Sequence, residues 1–212
     1  MQTASIRNRP GRDAASSQAG PSSHQTPMSQ HNQPNTTNCE PWFVTRSGIK
    51  FHPIHPAIEE IDLLDIAHGL AKTARFNGHT FEFYSVAQHS VIVSHHVPAE
   101  HALAALLHDA SEAYIGDLIR PVKIQPELEG FRTIEDNLMR VICEYFNVPW
   151  PLAPCVKEAD NITLYTEDRD LRNRAWTDRP TWPETIVPLE WRDALHLFMM
   201  RAGELLNNRS KA

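Results

Sequence analysis

Apolar side chains recur at three- and four-residue spacing over most of the chain after residue 57, which is the pattern of amphipathic helices. The first such repeat is formed by Ile58, Ile61, Leu64, Ala67 and Ala71, and it predicts a helix over residues 57–74. The same spacing predicts further helices over residues 86–96, 99–114, 126–146, 155–173 and 189–207. These elements predict an all-α fold, a helical bundle of about six helices with short connections.

Three segments depart from this pattern. Residues 42–52 have mixed β character around a Ser47-Gly48 turn and predict a short β-hairpin at the start of the fold. Residues 176–188 are rich in proline and predict an ordered surface loop. Residues 1–40 contain no Leu, Val, Phe, Tyr or Trp, so they cannot bury enough apolar surface to offset their backbone entropy. We therefore predict a disordered, low-complexity N-terminal tail over residues 1–40 and one folded domain over residues 41–212.

Composition and charge exclude several classes of function. The chain has 212 residues and a formal net charge of -6, which argues against a nucleic-acid partner because such binding depends on basic patches. No stretch approaches the roughly 18 consecutive apolar residues of a membrane span, and no signal peptide is visible. The three cysteines form no C-x-x-C pair, which is typical of a reducing compartment. The expected location is cytoplasmic, without membrane attachment.

The 12 histidines change this picture, because imidazole is the commonest metal ligand in proteins. His108 and Asp109 follow an apolar stripe, and Glu112 comes three to four residues later, so all three can face one cavity. His89 and Asp160 lie among apolar neighbours on two other predicted helices. Imidazoles and carboxylates in such surroundings need charge compensation, which a divalent cation supplies. A mixed nitrogen and oxygen site suits Zn, Mn, Co, Fe or Ni better than calcium.

The order His89, His108-Asp109, Asp160 resembles the signature of the HD-domain metal-dependent phosphohydrolases. The similarity extends to runs that are typical of the 5'-deoxynucleotidase-like branch, in its bacterial and phage members. These runs are His89-Ser90, His108 to Glu112, Gly116 to Leu118, Pro121 to Lys123, Arg75 to Thr80 and Phe83 to Val86. The resemblance covers about residues 42–173 and implies the HD-domain helical fold.

The resemblance also implies roles for individual residues. The four residues that would bind one divalent metal ion (Mn, Co, Zn, Fe, Ni or Mg) are His89, His108, Asp109 and Asp160. Glu112 and Asp117 match the acid–base carboxylates of the family, and Arg75 matches its phosphate-binding arginine. The remaining expected substrate contacts are Phe76, His79 and Lys123. Relatives often have tryptophan at the position of Phe76, near the sugar, and glutamate at the position of Gln88.

The expected function is a metal-dependent phosphoric monoester hydrolase that acts on small nucleotides and releases phosphate from deoxynucleoside 5'-monophosphates. A deoxynucleoside triphosphate triphosphohydrolase is the first alternative, and more basic residues around the pocket would favour it. A non-catalytic HD module that senses a nucleotide or a metal, and a scaffold for protein contacts, are alternatives of other classes. Relatives often dimerise, so a homodimer is a further expectation.

Each candidate also has a purely structural interpretation. Asp160 could pair with Lys157 on the surface, and Arg75 could interact with the C-terminal dipole of the preceding helix. Asp117 could be a turn residue. The run Glu167–Arg172 is interpreted most simply as a helix face of mutually compensating charges, with a role in the pocket as the alternative.

Overall fold

The computed structural model describes residues 40–174 and 178–209. Within these ranges the chain is built almost entirely of helices, which confirms the predicted all-α class. The predicted disordered tail lies outside the described residues except for Glu40, and so do residues 176 and 177 of the predicted loop.

The described residues form eight α-helices and one small sheet. The strands are β1 (Phe43–Val44) and β2 (Lys50–Phe51). The helices are α1 (Leu63–Lys72), α2 (Val86–His95), α3 (Ala102–Leu106), α4 (Glu112–Ile115), α5 (Arg120–Lys123), α6 (Glu129–Tyr145), α7 (Pro154–Leu171) and α8 (Trp191–Arg209). Short 3-10 helices cover Ile58–Glu60, Arg75–Gly78, Ala99–His101 and Pro126–Leu128. Among the described helices, none has a stretch that could span a lipid bilayer.

The predicted hairpin is present. Strands β1 and β2 pair antiparallel with Phe43 opposite Phe51, and Gly48 in the turn between them has φ +83°, a conformation that favours glycine. The Phe51 side chain is buried and stacks on the Tyr114 ring at a centroid distance of 4.1 Å. The hairpin is thereby attached to α4.

The starts of α1 and α2 are set by side-chain caps. Asp62 accepts a hydrogen bond from the backbone N–H of Asp65, and Ser85 accepts one from the backbone N–H of Gln88. Helix α2 therefore begins at the predicted cap. The predicted helix over 57–74 is divided, because the cap at Asp62 starts α1 only after the 3-10 turn Ile58–Glu60.

The predicted single helix over residues 99–114 is wrong. Helix α3 ends at Leu106, residues 107–111 form consecutive turns, and α4 begins at Glu112. The turns are held by short-range backbone hydrogen bonds, from Ala110 N–H to the Leu107 carbonyl and from Glu112 N–H to the Asp109 carbonyl. The interruption therefore lies at the His108-Asp109 pair.

Helix α2 lies at the centre of the bundle and packs against α1, α3, α7 and α8. Eight of its ten residues are buried, so it is surrounded by protein on nearly all sides. The central position explains how a polar residue such as His89 becomes inaccessible to solvent. On α6, Leu138 and Ile142 are buried as predicted, whereas Tyr145 was predicted to point inward and is 45% exposed.

Gly69 marks the closest approach of α1 to α4. A Cβ atom at this position would lie 2.7 Å from the Ala113 carbonyl oxygen and 2.8 Å from the Ala113 Cβ. We expect Gly69→Ala to lower the free energy of unfolding by about 1–3 kcal/mol, because the clash involves backbone and displaces α4. Urea denaturation measures the change. Gly203→Ala in α8 is the control, since no atom lies within 4 Å of its added Cβ, and equal stability of the two variants would contradict this account.

Candidate metal centre and adjoining cavity

The four predicted metal ligands come from three parts of the fold and meet at one point. His89 lies in α2, His108 and Asp109 lie in the turns at 107–111, and Asp160 lies in α7. The Nε2 atom of His89 is 3.3 Å from Nε2 of His108 and 3.2 Å from Oδ1 of Asp160. The Oδ2 atom of Asp109 is 3.1 Å from Nε2 of His108 and 3.7 Å from Nε2 of His89. The structure thus brings all four side chains together.

The convergence lies at the interruption of the helix. Successive residues of an α-helix project about 100° apart, so neighbours in sequence do not face the same point. In the turns at 107–111, His108 and Asp109 both reach the group of ligands. The break in the helix is therefore a feature of the site.

Each imidazole ring is oriented by an acceptor at its Nδ1 atom. Nδ1 of His89 is 2.6 Å from Oε1 of Glu167, and Nδ1 of His108 is 2.8 Å from the Ala105 carbonyl oxygen. We assign the donated proton to Nδ1 in both rings, because each partner is an acceptor. The two Nε2 atoms then face each other, and nitrogens this close need a proton or a cation between them. Two imidazole nitrogens and two carboxylates fit a divalent transition metal.

The carboxylates of this centre are held in the charged state that a cation needs. Burial works to raise the pKa of Asp109, but His108 and His89 outweigh it and hold that pKa well below its usual range. Burial likewise opposes the charge of Asp160, and hydrogen bonding to His89 with the charge of His108 keeps its pKa far below normal. Burial and Arg75 tend to lower the pKa of His89, yet Glu167 and Asp160 raise it to about 9. A cation that binds here therefore displaces a proton from His89.

Asp160 divides its two oxygens between the centre and the surface. Oδ1 faces the imidazoles, and Oδ2 accepts a hydrogen bond from Lys157 Nζ at 2.5 Å. The surface pair that was the alternative interpretation of Asp160 thus exists beside the metal-facing position. Lys157 is well exposed, so the pair contributes little to stability.

Arg75 faces the same centre from the segment after α1. Its Nη2 atom is 3.0 Å from Oε2 of Glu167, and its Nη1 atom is 3.7 Å from Oδ2 of Asp109. Burial works to lower the pKa of the guanidinium, but Glu167 and Asp109 raise it above its ordinary value, so Arg75 stays charged. The alternative interpretation, in which Arg75 interacts with the end of the preceding helix, does not account for these contacts.

Glu167 is the residue of the centre that the sequence interpretation missed. We predicted the run Glu167–Arg172 most simply as a charged helix face, which is wrong for Glu167 because its side chain is fully buried against His89 and Arg75. Arg172 does pair locally with Asp168 at 2.9 Å. A signal existed in the sequence, since Glu167 follows Asp160 by seven residues, or two turns along the same helix face.

Gln88 holds the segment that leads into α8. Its Nε2 donates to the Val187 carbonyl at 2.8 Å, and its Oε1 accepts from the Leu189 N–H at 2.9 Å. This clamp needs one donor and one acceptor on the same side chain. An amide supplies both groups, and an ionised carboxylate supplies only acceptors.

We expect Gln88→Glu to lower the free energy of unfolding by about 1–3 kcal/mol, because a buried carboxylate would face the Val187 carbonyl without a proton to share. Urea denaturation at neutral pH measures this change. The control is Gln125→Glu, where the amide donates to the Pro121 carbonyl at the exposed surface and its loss should have little effect. A Gln88→Glu protein as stable as the unmodified chain would show that the clamp is unimportant.

A cavity of about 710 Å³ opens beside the candidate metal centre. It is lined by two of the predicted ligands, Asp109 and Asp160, and by every other predicted site residue. Those residues are Arg75, Phe76, His79, Glu112, Asp117 and Lys123. A volume of this size is typical of a site for a small molecule such as a nucleotide.

The cavity wall has an excess of positive charge. Its seven cationic residues are Arg75, Arg120, Lys123, Arg132, Lys157, Arg172 and Arg174, against four carboxylates, Asp109, Glu112, Asp117 and Asp160. The local charge is therefore opposite to the net charge of the whole chain, which is -6. Such a wall favours an anionic ligand.

Glu112 and Asp117 differ from the carboxylates of the metal centre in the direction in which their pKa values are shifted. Burial, with the nearby charge of Asp109, raises the pKa of Glu112 well above its usual range. Its Oε2 is buried and has no hydrogen-bond partner among the described residues. Burial also raises the pKa of Asp117, which is less enclosed. Glu112 is therefore suited to carry a proton at the cavity wall.

Two backbone hydrogen bonds join the ends of the loop that bears Arg75 and Phe76. Arg75 N–H donates to the Tyr84 carbonyl at 2.9 Å, and Val86 N–H donates to the Thr73 carbonyl at 3.0 Å. Phe76 has φ +54°, a left-handed conformation that is uncommon for such a residue. Its ring lies 5.3 Å from the Arg75 guanidinium carbon and 4.5 Å from that of Arg172. These contacts place an aromatic ring at the cavity.

The chain is similar to two bacterial proteins. It is 37% identical over 178 residues to the uncharacterized protein YfdR of Escherichia coli strain K12. The matched region covers 79% of this chain and 97% of YfdR. It is 35% identical over 139 residues to an uncharacterized protein of Rhodobacter capsulatus. This second match covers 59% of this chain and 70% of that protein. No protein-family model matches the chain.

Proposed function

This chain belongs to the same family as YfdR of Escherichia coli, and from the site that it carries we propose that it is an HD-type, metal-dependent phosphohydrolase of small nucleotides. The observation that carries the proposal is the convergence of two imidazoles and two carboxylates beside a cationic cavity. A cation in that centre and a phosphate in that cavity would be direct neighbours. This arrangement suits hydrolysis of a phosphate ester.

The residues that would hold the cation are His89, His108, Asp109 and Asp160. When bound, a divalent cation neutralises phosphoryl oxygens and lowers the pKa of water toward about 7. Arg75 adds a fixed positive charge, because Glu167 and Asp109 hold its guanidinium beside the same centre. A guanidinium held in this way binds phosphate oxygens without first having to be ordered.

Glu112 and Asp117 supply the proton transfers in this proposal. The water oxygen attacks phosphorus while the bond from phosphorus to the ester oxygen breaks. Asp117 accepts the proton of the attacking water, and Glu112, whose raised pKa favours the protonated acid, protonates the departing alkoxide. The products are inorganic phosphate and a nucleoside.

A deoxynucleoside 5'-monophosphate is the substrate class that we favour. The seven cationic residues of the cavity support the alternative, a triphosphohydrolase, because a triphosphate carries more negative charge. Several of these cations are already neutralised by neighbours, as in the pairs Arg75–Glu167, Lys123–Glu135, Lys157–Asp160 and Arg172–Asp168. Less positive charge is therefore left for a ligand than the count of seven suggests, which favours one phosphate over three.

A sensing module without catalysis is the alternative of another class. Such a module needs the metal ligands and a nucleotide site, but it has no use for acid–base carboxylates in contact with the cavity. The presence of both Glu112 and Asp117 on the cavity wall favours an enzyme.

The test is product analysis by phosphorus NMR. The full chain, purified without chelator, is incubated with deoxynucleoside mono- and triphosphates in Mn²⁺, Co²⁺, Mg²⁺ or Zn²⁺. We expect inorganic phosphate from the monophosphates. Tripolyphosphate from the triphosphates would favour the second activity, and nucleotide binding without turnover in every metal would favour the sensing module.

A further inference from the structure

Glu167 joins the candidate metal centre to the candidate phosphate site. We infer that it is a positioning residue that holds His89 and Arg75 in one rigid unit, so that binding of the cation and binding of the phosphate both depend on it. The inference rests on the proposed function, which assigns those two roles to His89 and Arg75. It adds Glu167, which is not among the predicted site residues, and it makes the affinities for the cation and for phosphate depend on this residue.

The two oxygens of Glu167 have separate partners. Oε1 is 2.6 Å from Nδ1 of His89, and Oε2 is 3.0 Å from Nη2 of Arg75. The side chains of Glu167 and His89 have no exposed surface, and the Arg75 side chain is 12% exposed. One carboxylate therefore accepts hydrogen bonds from a metal ligand and a phosphate ligand in a site closed to water.

A carboxylate is the side chain that fits both partners. Each of its oxygens accepts a hydrogen bond, and its negative charge compensates the buried guanidinium of Arg75. The amide of glutamine has one acceptor oxygen, so either His89 or Arg75 would face an NH2 group and lose its partner. Aspartate keeps the charge, but it is one methylene shorter and cannot reach both partners from the same backbone position.

Helix α7 gives Glu167 its place. Glu167 and Asp160 lie two turns apart on one face of α7, so the helix supplies one predicted ligand directly and supports His89 of α2 through Glu167. The contact also spans the fold, since Arg75 precedes Glu167 by 92 residues. Such outer partners typically change metal affinity 10–100-fold when they are replaced.

Calorimetric titration of the metal-free full chain with MnCl₂, in the absence of any nucleotide, tests the inference. We expect Glu167→Gln to weaken Mn²⁺ binding by about 10–100-fold. The matched control is Glu60→Gln, which removes a carboxylate bonded to Nδ1 of His52 at 2.5 Å and to the His52 N–H at 2.9 Å. Glu60→Gln should keep the Mn²⁺ affinity of the unmodified chain.

Inorganic phosphate provides the second readout. Titrated into the Mn²⁺-saturated protein, it should bind about 10-fold more weakly to Glu167→Gln, because Arg75 loses its anchor. Glu167→Asp, which keeps the charge, should lie between the unmodified chain and Glu167→Gln in both titrations. It also serves as the test variant if Glu167→Gln does not fold.

The outcomes separate this inference from the proposed function. Unchanged Mn²⁺ affinity in folded Glu167→Gln and Glu167→Asp, with normal binding to the unmodified chain, would overturn the inference and leave the proposed function standing. Equal weakening in Glu60→Gln would overturn it as well, since the effect would then be general. Absence of binding of Mn²⁺, Co²⁺, Mg²⁺ and Zn²⁺ to the unmodified chain would overturn both.

Discussion

Asp109→Ala is expected to remove both the bound cation and the hydrolysis of nucleotides. Asp109 is one of the four proposed ligands, and its Oδ2 lies 3.1 Å from Nε2 of His108 and 3.7 Å from Nη1 of Arg75. Its loss leaves three protein ligands and takes away a negative charge that compensates the imidazoles and the guanidinium. We expect metal affinity to fall by more than about 100-fold, beyond the effect of losing an outer partner. Elemental analysis of protein purified without chelator and an assay of released phosphate measure the two effects.

The matched control for Asp109→Ala is Asp136→Ala. Asp136 is an exposed aspartate on α6, so its replacement should leave metal content and turnover unchanged. Retention of a full equivalent of metal together with hydrolysis in Asp109→Ala would contradict the proposed site. A loss of metal from both variants would indicate a general effect on the fold.

Glu112→Gln is expected to lower turnover by about 10²–10⁴-fold while metal content stays the same. The amide keeps the size of the side chain and cannot deliver a proton to the departing alkoxide. The metal centre should be intact, because Glu112 is not one of the four proposed ligands. Steady-state phosphate release and elemental analysis measure the two quantities, and Glu127→Gln, an exposed change before α6, is the control.

The choice of substrate tests the specific role of Glu112. An aryl phosphate has a leaving group that departs without protonation, so the deficit of Glu112→Gln should shrink with that substrate. Asp117→Asn should be impaired with both substrates, since its proposed role is with the attacking water. A deficit of Glu112→Gln that is equal for both substrates would rule out its role as the acid.

Local signals in the sequence predicted much of the fold. Ser85 marked the start of α2, and the spacing of apolar residues located α6, α7 and α8 to within a few residues. The break at residues 107–111 was missed because Leu106, Leu107 and Ala110 continue the apolar stripe across it. Periodicity reports which positions are buried, and buried positions continue through a tight turn as they do through a helix.

The candidate site was predictable in part. The order of His89, His108-Asp109 and Asp160 identified four side chains that the structure brings together. Glu167 was missed because Arg169 and Arg172 offered nearby partners for a charge on the same helix. Its actual partners, His89 and Arg75, lie 78 and 92 residues away in the chain, and pairing over such distances is set by tertiary packing.

The turns at residues 107–111 also bear on attempts to make this protein more stable. A designer who optimises helical propensity would choose Ser111 and its neighbours for replacement, because they interrupt an otherwise continuous helix. A continuous helix would change the directions in which the His108 and Asp109 side chains project, because successive residues of an α-helix turn by about 100°. The more thermostable variant would then have lost the geometry of its candidate metal centre. Stability and activity would thus be in conflict at a single interruption of the helix.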